Sequence, residues 1–241
     1  MLRFDPDNLA QWGKGRWEIR PQGYISGFSI DTRNLGDGQL FIALKDKRDG
    51  HEFMQQAKDA GAAGALVSRW IHEVDFPQLK TANSLFSLQE IARNYRSQFT
   101  GKVVGVTGSC GKTSTKEILK ILLGEEETLC TRGNLNNHLG VPLTILEIDP
   151  EIHRYAVVEA GINQPGEMDQ LAQMINPDYA IVTLVGDSHL EGLGSVNKVA
   201  EEKAKIFQSP GNLAKIFFPE SCTAFTQFDQ DNLDGLDYTI L

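Results

Sequence analysis

Two apolar stretches near the start of the chain, "GYISGFSIDTR" and "GQLFIALK", have the pattern of short strands. The segment "HEFMQQAKDAGAAGALVS" predicts a helix ending near Gly61 and then a strand over 64–68. In "NSLFSLQEIARNYRSQF", Leu88, Ile91, Ala92, Tyr95 and Phe99 recur on one helical face, and Ser87 with Glu90 matches a capping box. From Lys102 the alternation is plainer. Strands are predicted at 102–107, 127–131, 155–160, 179–185 and 214–218, and helices at 113–123, near 138–146, at 166–175 and at 195–208. Continuous apolar runs such as "YAIVTLV" imply strands buried on both faces, hence a mainly parallel sheet between helices. The expected organisation is α/β throughout: a small N-terminal domain over 1–100, then a larger one over 101–241, with the boundary near 82–101.

Composition narrows the function classes. Hydrophobic residues make up 41% of the 241 and charged ones 23%, ordinary for a globular chain. No apolar run approaches the roughly 18 residues of a membrane span. The net charge of -9 argues against a nucleic-acid or membrane-surface binder, while leaving room for a phosphate held by local amides and one or two cations. Cys110, Cys130 and Cys222 fit neither a disulfide framework nor a CxxC metal pair, so reduced thiols are expected. The opening "MLRFDPDNLAQWGKG" lacks the plan of a secretory signal, and the expected setting is cytoplasmic.

The strongest chemical signal is Gly108-Ser109-Cys110-Gly111-Lys112-Thr113, the GxxGK[ST] end of a phosphate loop. The longer GxxxxGK spacing would need glycine at 106, where valine stands. The loop follows a predicted strand and opens a predicted helix, so helix N-terminal amides can meet phosphate oxygens and the glycines allow close approach. Residues 108 to 114, Ser114 included, are the expected nucleotide-phosphate site, with Lys112 on the β- and γ-phosphates and Thr113 on magnesium. An ordinary strand-to-helix turn is the plain alternative.

Downstream, "TRGNLNNHLGVPLT" places Asn134, Asn136 and Asn137 in a loop before a helix, where a polar turn is as good a reading as a ligand site. Glu159 ends an apolar strand, and the carboxyl ends of strands are where open α/β sheets bind ligands; a carboxylate there suits magnesium or a structural cap. His189 follows another buried strand, and Lys203 lies on a later helix. Taken alone, each reads as structural or solvated. Phosphate loop, Glu159 and His189 all follow strands of one expected parallel sheet, so they should converge on one edge.

The segments "GSCGKTS", "GNLNNHLGVPLT", "VVEAGINQPGE" and "SHLEGLGSVNKVAEEKAKIF" occur in the order and approximate spacing of the Mur ligases, and the chain resembles that family. The N-terminal "SIDTRNLGDGQLFIALKDKRDGHEF" resembles its nucleotide-sugar domain, so the resemblance spans roughly 25–215. The asparagine-rich segment resembles the branch that joins D-Ala-D-Ala to UDP-N-acetylmuramoyl-tripeptide, rather than the neighbouring branch with a threonine-rich segment there. The resemblance implies ATP-dependent amide ligation in peptidoglycan precursor assembly, through an acyl phosphate. It implies catalytic roles for Lys112, His189 and Lys203, one magnesium on Thr113 and Glu159, and a second on His189 and a carbamylated Lys203. Asn134 and Asn137 would line the reacting carboxylate, and Ser29, Asp31, Thr32 and Arg33 the UDP-sugar.

Members of the family continue for about as much chain again, with adenine contacts and a closing domain. The expectation is therefore a truncated ligase, weakly active or inactive alone, and monomeric. Two other classes stay open: a different nucleotide-hydrolysing or kinase enzyme sharing Lys112 and Thr113, and a non-catalytic module that binds UDP-muramoyl peptide. Cys110, at a helix start beside Lys112, is expected to be a tolerated small residue or a thiol that nucleotide shields.

Overall fold

In a computed structural model, residues 2–208 and 213–241 are described. The chain divides into two compact units, Met1–Tyr95 and Arg96–Leu241, and the division falls inside a helix.

In the first unit, α1 (Pro6–Trp12) precedes β1 (Arg16–Trp17), β2 (Phe28–Ser29), β3 (Leu40–Ile42), α2 (Met54–Asp59), β4 (Gly64–Val67) and β5 (Gln78–Lys80). Among the described residues these strands form one sheet in the order β1-β5-β4-β3-β2, parallel except for β1 against β5. Phe41, Ala43, Met54, Ala57, Ala65 and Val67 make its core, which explains why β3 and β4 read as unbroken apolar runs. The segment expected as one strand around 23–33 keeps only β2, because Ser29 and Asp31 bend the chain into a side-chain-bonded turn.

Helix α3 (Ser84–Gln98) corrects the capping-box expectation. Asn83 Oδ1 accepts the Phe86 N–H at 3.0 Å and so caps the helix. Ser87, one turn inside, donates to the Gly13 carbonyl at 2.7 Å, and Glu90 pairs with Lys14 at 2.6 Å and Arg93 at 2.8 Å.

The second unit runs β6 (Lys102–Thr107), α4 (Lys112–Leu123), β7 (Thr128–Cys130), α5 (Gly140–Ile145), β8 (Tyr155–Glu159), α6 (Glu167–Ile175), β9 (Tyr179–Val182), α7 (Leu190–Leu193), α8 (Val196–Ala204), β10 (Lys215–Phe218) and β11 (Tyr238–Ile240). Its strands are parallel, in the order β11-β10-β9-β6-β8-β7. The α/β, mainly parallel architecture expected from the apolar runs is thus present. Right-handed crossovers put α4 on one face and α6 and α8 on the other, because the chain moves from β6 toward β7 in one direction and from β8 to β9 in the opposite one. β6 is therefore central and buried on both sides, and its carboxyl end lies where the strand order reverses.

Some elements differ from expectation. β9 ends at Val182 rather than 185, since Thr183 turns its hydroxyl onto the Thr107 carbonyl at 3.2 Å and the Cys110 carbonyl at 2.5 Å. α8 stops at Ala204 and continues as a tighter turn over Lys205–Gln208. β1, β5, α1, α7 and β11 carry too few patterned residues to be read beforehand. No helix among the described residues is long and apolar enough to cross a membrane.

Arg96 ties the second unit together. Its buried guanidinium donates to the carbonyls of Ile175 at 2.9 Å, Asn176 at 2.7 Å and Phe99 at 3.2 Å, and pairs with Asp178 at 3.1 Å. It thereby satisfies carbonyls at the end of α6 that the helix leaves free. Asp178 also accepts the first buried amide of β6, from Val103 at 3.0 Å. Arg96→Ala is expected to destabilise the fold by about 2–4 kcal/mol in denaturant unfolding, because it leaves the carbonyls of Ile175, Asn176 and Phe99 without their donor while Asp178 keeps Lys102 and the Val103 amide; a loss under about 1 kcal/mol would contradict this account.

Candidate functional site

The turn from β6 into α4 depends on two glycines. Gly108 sits at φ 152° and Gly111 at φ 84°; a Cβ on Gly108 would overlap the Thr183 hydroxyl. Gly111 is the N-cap of α4 and contributes no side-chain cap, so the first amides of that helix point into the loop unsatisfied by side chains. The loop is clamped from behind by residues 183–188. Ser109 donates its amide to the Leu184 carbonyl at 2.8 Å, exchanges hydrogen bonds with Gly186 at 3.1 and 3.0 Å, and accepts from Ser188 Oγ at 2.8 Å. Lys112 folds over the loop, its Nζ donating to the Gly108 carbonyl at 2.7 Å. Cys110 and Ser114 are exposed on the loop and the helix start.

Glu159, 2% exposed at the end of β8, stands beside this turn. Thr113 Oγ1 donates to its Oε2 at 3.2 Å, and Asn136 Nδ2 donates to its Oε1 at 2.8 Å. Its own amide donates to Thr131 Oγ1 at 2.9 Å. The asparagine that meets the carboxylate is Asn136, rather than Asn134 or Asn137. Asn137 Oδ1 accepts the amides of Leu139 and Gly140 at 3.0 and 2.9 Å and starts α5, while Asn134 is exposed and its carbonyl accepts the Asn136 amide. Three asparagines in four positions look alike in sequence; only the path of the loop selects one.

His189 is exposed and holds a left-handed backbone, φ 56°, just before α7. Desolvation, with Lys203 and Lys112 adding repulsion, holds its imidazole below the ordinary value. Lys203 is 1% exposed on α8. Among the described residues its ammonium has no hydrogen-bond or ion-pair partner. Burial, with repulsion from Lys112, lowers its pKa from 10.5 to about 8. The neighbouring Glu202 takes a structural part: it accepts the amides of Gly166 and Met168 at 2.8 and 3.0 Å, completing the N-terminus of α6, and pairs with Lys205 at 2.8 Å.

Thr113 and Glu159 offer hard oxygen donors beside a phosphate-sized loop, a fit for magnesium shared with ligand oxygens and water. Among the described residues no three His, Cys, Asp or Glu side chains gather into a metal site by themselves. His189 and an unmodified Lys203 fit magnesium poorly, since the second is a cation; a carbamate on Lys203 would replace that charge with carboxylate oxygens.

In the first unit, Asp31, Thr32 and Arg33 line a cleft of about 550 Å³ with Arg48, Phe53 and Gln56. Asp31 and Arg33 form a bidentate pair, 2.6 Å at its shortest, and that pairing pulls Asp31 down to about 2. Thr32 Oγ1 reaches Gln56 Oε1 at 3.4 Å. Ser29 lies outside the lining, with its hydroxyl engaged on the Asp31 backbone. No local pattern in the sequence distinguishes Asn136 as the contact or Arg48 as part of the cleft lining, and little distinguishes Lys116, which is buried on α4. The one available signal for Lys116 was a charged side chain on the inward stripe of α4.

Comparison with known proteins follows the same division. The Mur ligase middle domain matches residues 106–232. UDP-N-acetylmuramoyl-tripeptide--D-alanyl-D-alanine ligase of Bacillus subtilis is 41% identical over 216 residues, covering 86% of this chain and 46% of that protein. A crystal structure of MurF from Acinetobacter baumannii superposes on all of this chain and 53% of its own, with TM-score 0.90 and 31% identity. MurF ligase from Thermotoga maritima, solved in complex with ADP, covers 89% of this chain and 49% of its own at TM-score 0.73 and 30% identity. The chain spans about half the length of the curated relatives it matches. With the middle-domain match running from the end of β6 through β8, β9 and β10, across more than half of its length, the chain belongs to the Mur ligase family.

Proposed function

We propose that this chain carries the nucleotide-sugar and ATP-phosphate parts of an ATP-dependent ligase that joins D-Ala-D-Ala to UDP-N-acetylmuramoyl-tripeptide in the cytoplasm. The observation that carries it beyond a generic nucleotide hydrolase is Lys203, a buried amine that has no anionic partner among the described residues and is repelled by the nearby Lys112. A lysine in that state is poised to lose its proton and add carbon dioxide: the neutral nitrogen bonds the carbon, one N–H proton leaves to solvent, and a carbamate anion results. The names of the relatives supply the substrates, and the ADP complex of one of them supports the nucleotide.

In this reading Lys112 leaves the Gly108 carbonyl for the phosphate oxygens, and the open amides of α4 orient the same group. Magnesium, held by Thr113 and Glu159, and a second ion at His189 and carbamylated Lys203, would supply charge neutralisation to the transferring phosphoryl group. A carboxylate oxygen of the tripeptide attacks the γ-phosphorus and ADP departs; the amine of D-Ala-D-Ala then attacks the acyl carbon, expelling phosphate and losing a proton. Asn136 fixes the orientation of Glu159, and the cleft at Asp31, Thr32, Arg33 and Arg48 takes the UDP-sugar.

Calorimetry with ADP and magnesium tests the phosphate site. Lys112→Ala is expected to weaken binding by about 10- to 100-fold, the value of one or two charge-assisted hydrogen bonds. Saturating nucleotide is expected to slow alkylation of the exposed Cys110. Unchanged affinity in the variant, or alkylation indifferent to nucleotide, would count against the assignment. Binding of UDP-muramoyl-tripeptide that survives Lys112→Ala, with no nucleotide binding to the unaltered chain, would favour the non-catalytic module.

The state of Lys203 has its own consequence for stability. Between about pH 8 and 10.5 the unfolded chain holds a proton here that the folded one does not, so wild-type stability rises with pH across that window. Lys203→Met is therefore expected to unfold at higher temperature than wild type at pH 7 in carbonate-free buffer, by a margin that shrinks toward pH 10. Bicarbonate is expected to add the mass of one carbon dioxide to wild type and none to the variant. A variant less stable at pH 7 would show that the ammonium is compensated after all.

A further inference from the structure

We propose that Lys116 is a positioning residue that holds the asparagine loop, residues 131–137, against Glu159, and so governs how well this site takes magnesium with nucleotide. Lys116 is 1% exposed, one helical turn after Lys112 and Thr113 on α4. Its Nζ donates to the carbonyl of Thr131, to that of Gly133 at 3.3 Å, and pairs with Glu117 at 3.1 Å. Both carbonyls belong to the first half of the loop. The same Thr131 accepts the Glu159 amide through its hydroxyl, and the second half of the loop carries Asn136, which donates to Glu159 Oε1 and accepts the Gly161 amide at 2.8 Å through its carbonyl.

One rigid turn of helix thus reaches the carboxylate twice. Thr113 touches the Glu159 carboxylate directly, and three residues later Lys116 holds the loop whose Asn136 amide reaches the other carboxylate oxygen and whose Thr131 hydroxyl accepts the Glu159 backbone N–H. Packing gives no reason for a lysine here. The neighbourhood of α4 against the sheet is Leu119, Leu123, Val104, Val106, Cys130 and Val157, and an apolar side chain of similar length fills such a place without desolvating an ammonium. What an apolar side chain cannot do is gather the two carbonyls.

The inference rests on the reading of Thr113 and Glu159 as magnesium ligands, and the measurement separates the two. Affinity for ADP is compared with and without magnesium, in wild type, Lys116→Met and Asn136→Ala, with thermal unfolding alongside. Lys116→Met is expected to keep the magnesium-free affinity, because the loop 108–114 is untouched, and to lose about 10-fold or more of the gain that magnesium brings, the usual effect of removing an outer partner of a metal ligand. Asn136→Ala, which cuts the same link at its far end, is expected to show the same split and carries the test should Lys116→Met fail to fold. Parallel loss in both conditions would mean that Lys116 serves only the fold and would overturn the proposal. A full magnesium gain in Lys116→Met, or in Asn136→Ala if that variant alone folds, would overturn it while leaving the ligand assignment intact. Absence of any gain in wild type would remove that assignment and this inference together.

Discussion

The site is built on the turn between β6 and α4, where the chain must reverse from a buried central strand into a helix and still leave its first amides open. Gly108 passes against Thr183 where a Cβ would overlap, and Gly111 takes a left-handed conformation at the helix start. No side chain caps α4, so the positive end of the helix remains available to an anion. Neighbouring elements adapt to that turn. β9 ends early so that Thr183 and the residues after it can hold the loop from behind, and Glu159 emerges from β8 at its flank.

The electrostatics are local, against the sign of the whole molecule. The chain is acidic, with net charge -9, yet the loop brings Lys112, the His189 ring and the buried Lys203 into mutual repulsion. Repulsion and desolvation both favour the uncharged forms, so the site lowers the proton affinity of an amine and an imidazole together. An anion placed among them would relieve that repulsion. The Glu159 carboxylate accepts from Thr113 and Asn136 while its backbone amide donates to Thr131, so both the side chain and its anchor are held.

Hydrogen bonds to backbone carbonyls do much of the positioning. Arg96 gathers the carbonyls at the end of α6 and anchors Asp178 beside β6; Lys116 gathers those of the asparagine loop. Both cations are buried, and in both cases the partners are groups that secondary structure leaves unpaired. Glu202 does the converse at the start of α6, accepting amides with a carboxylate. Helix ends and loop mouths, rather than the apolar core, therefore set the relative places of the side chains at the sheet edge.

The sequence by itself determined the alternation of strand and helix, the parallel sheet and the glycine turn that opens a helix at Lys112, because continuous apolar runs and the glycine-lysine-threonine spacing are local patterns with local causes. It brought Glu159 and His189 to one edge through the single rule that strands of a parallel sheet end together. It misplaced the cap of α3, since Ser87 and Glu90 have the right spacing one turn too late, and partners distant in sequence, Gly13 and Lys14, decide what those side chains do. It could not choose Asn136 over Asn134 and Asn137, nor separate Lys116 from the solvated lysines around it, and only the family resemblance, not any local pattern, singled out Lys203. Those choices belong to tertiary structure, because burial and hydrogen-bond partners are set by elements far apart in the chain.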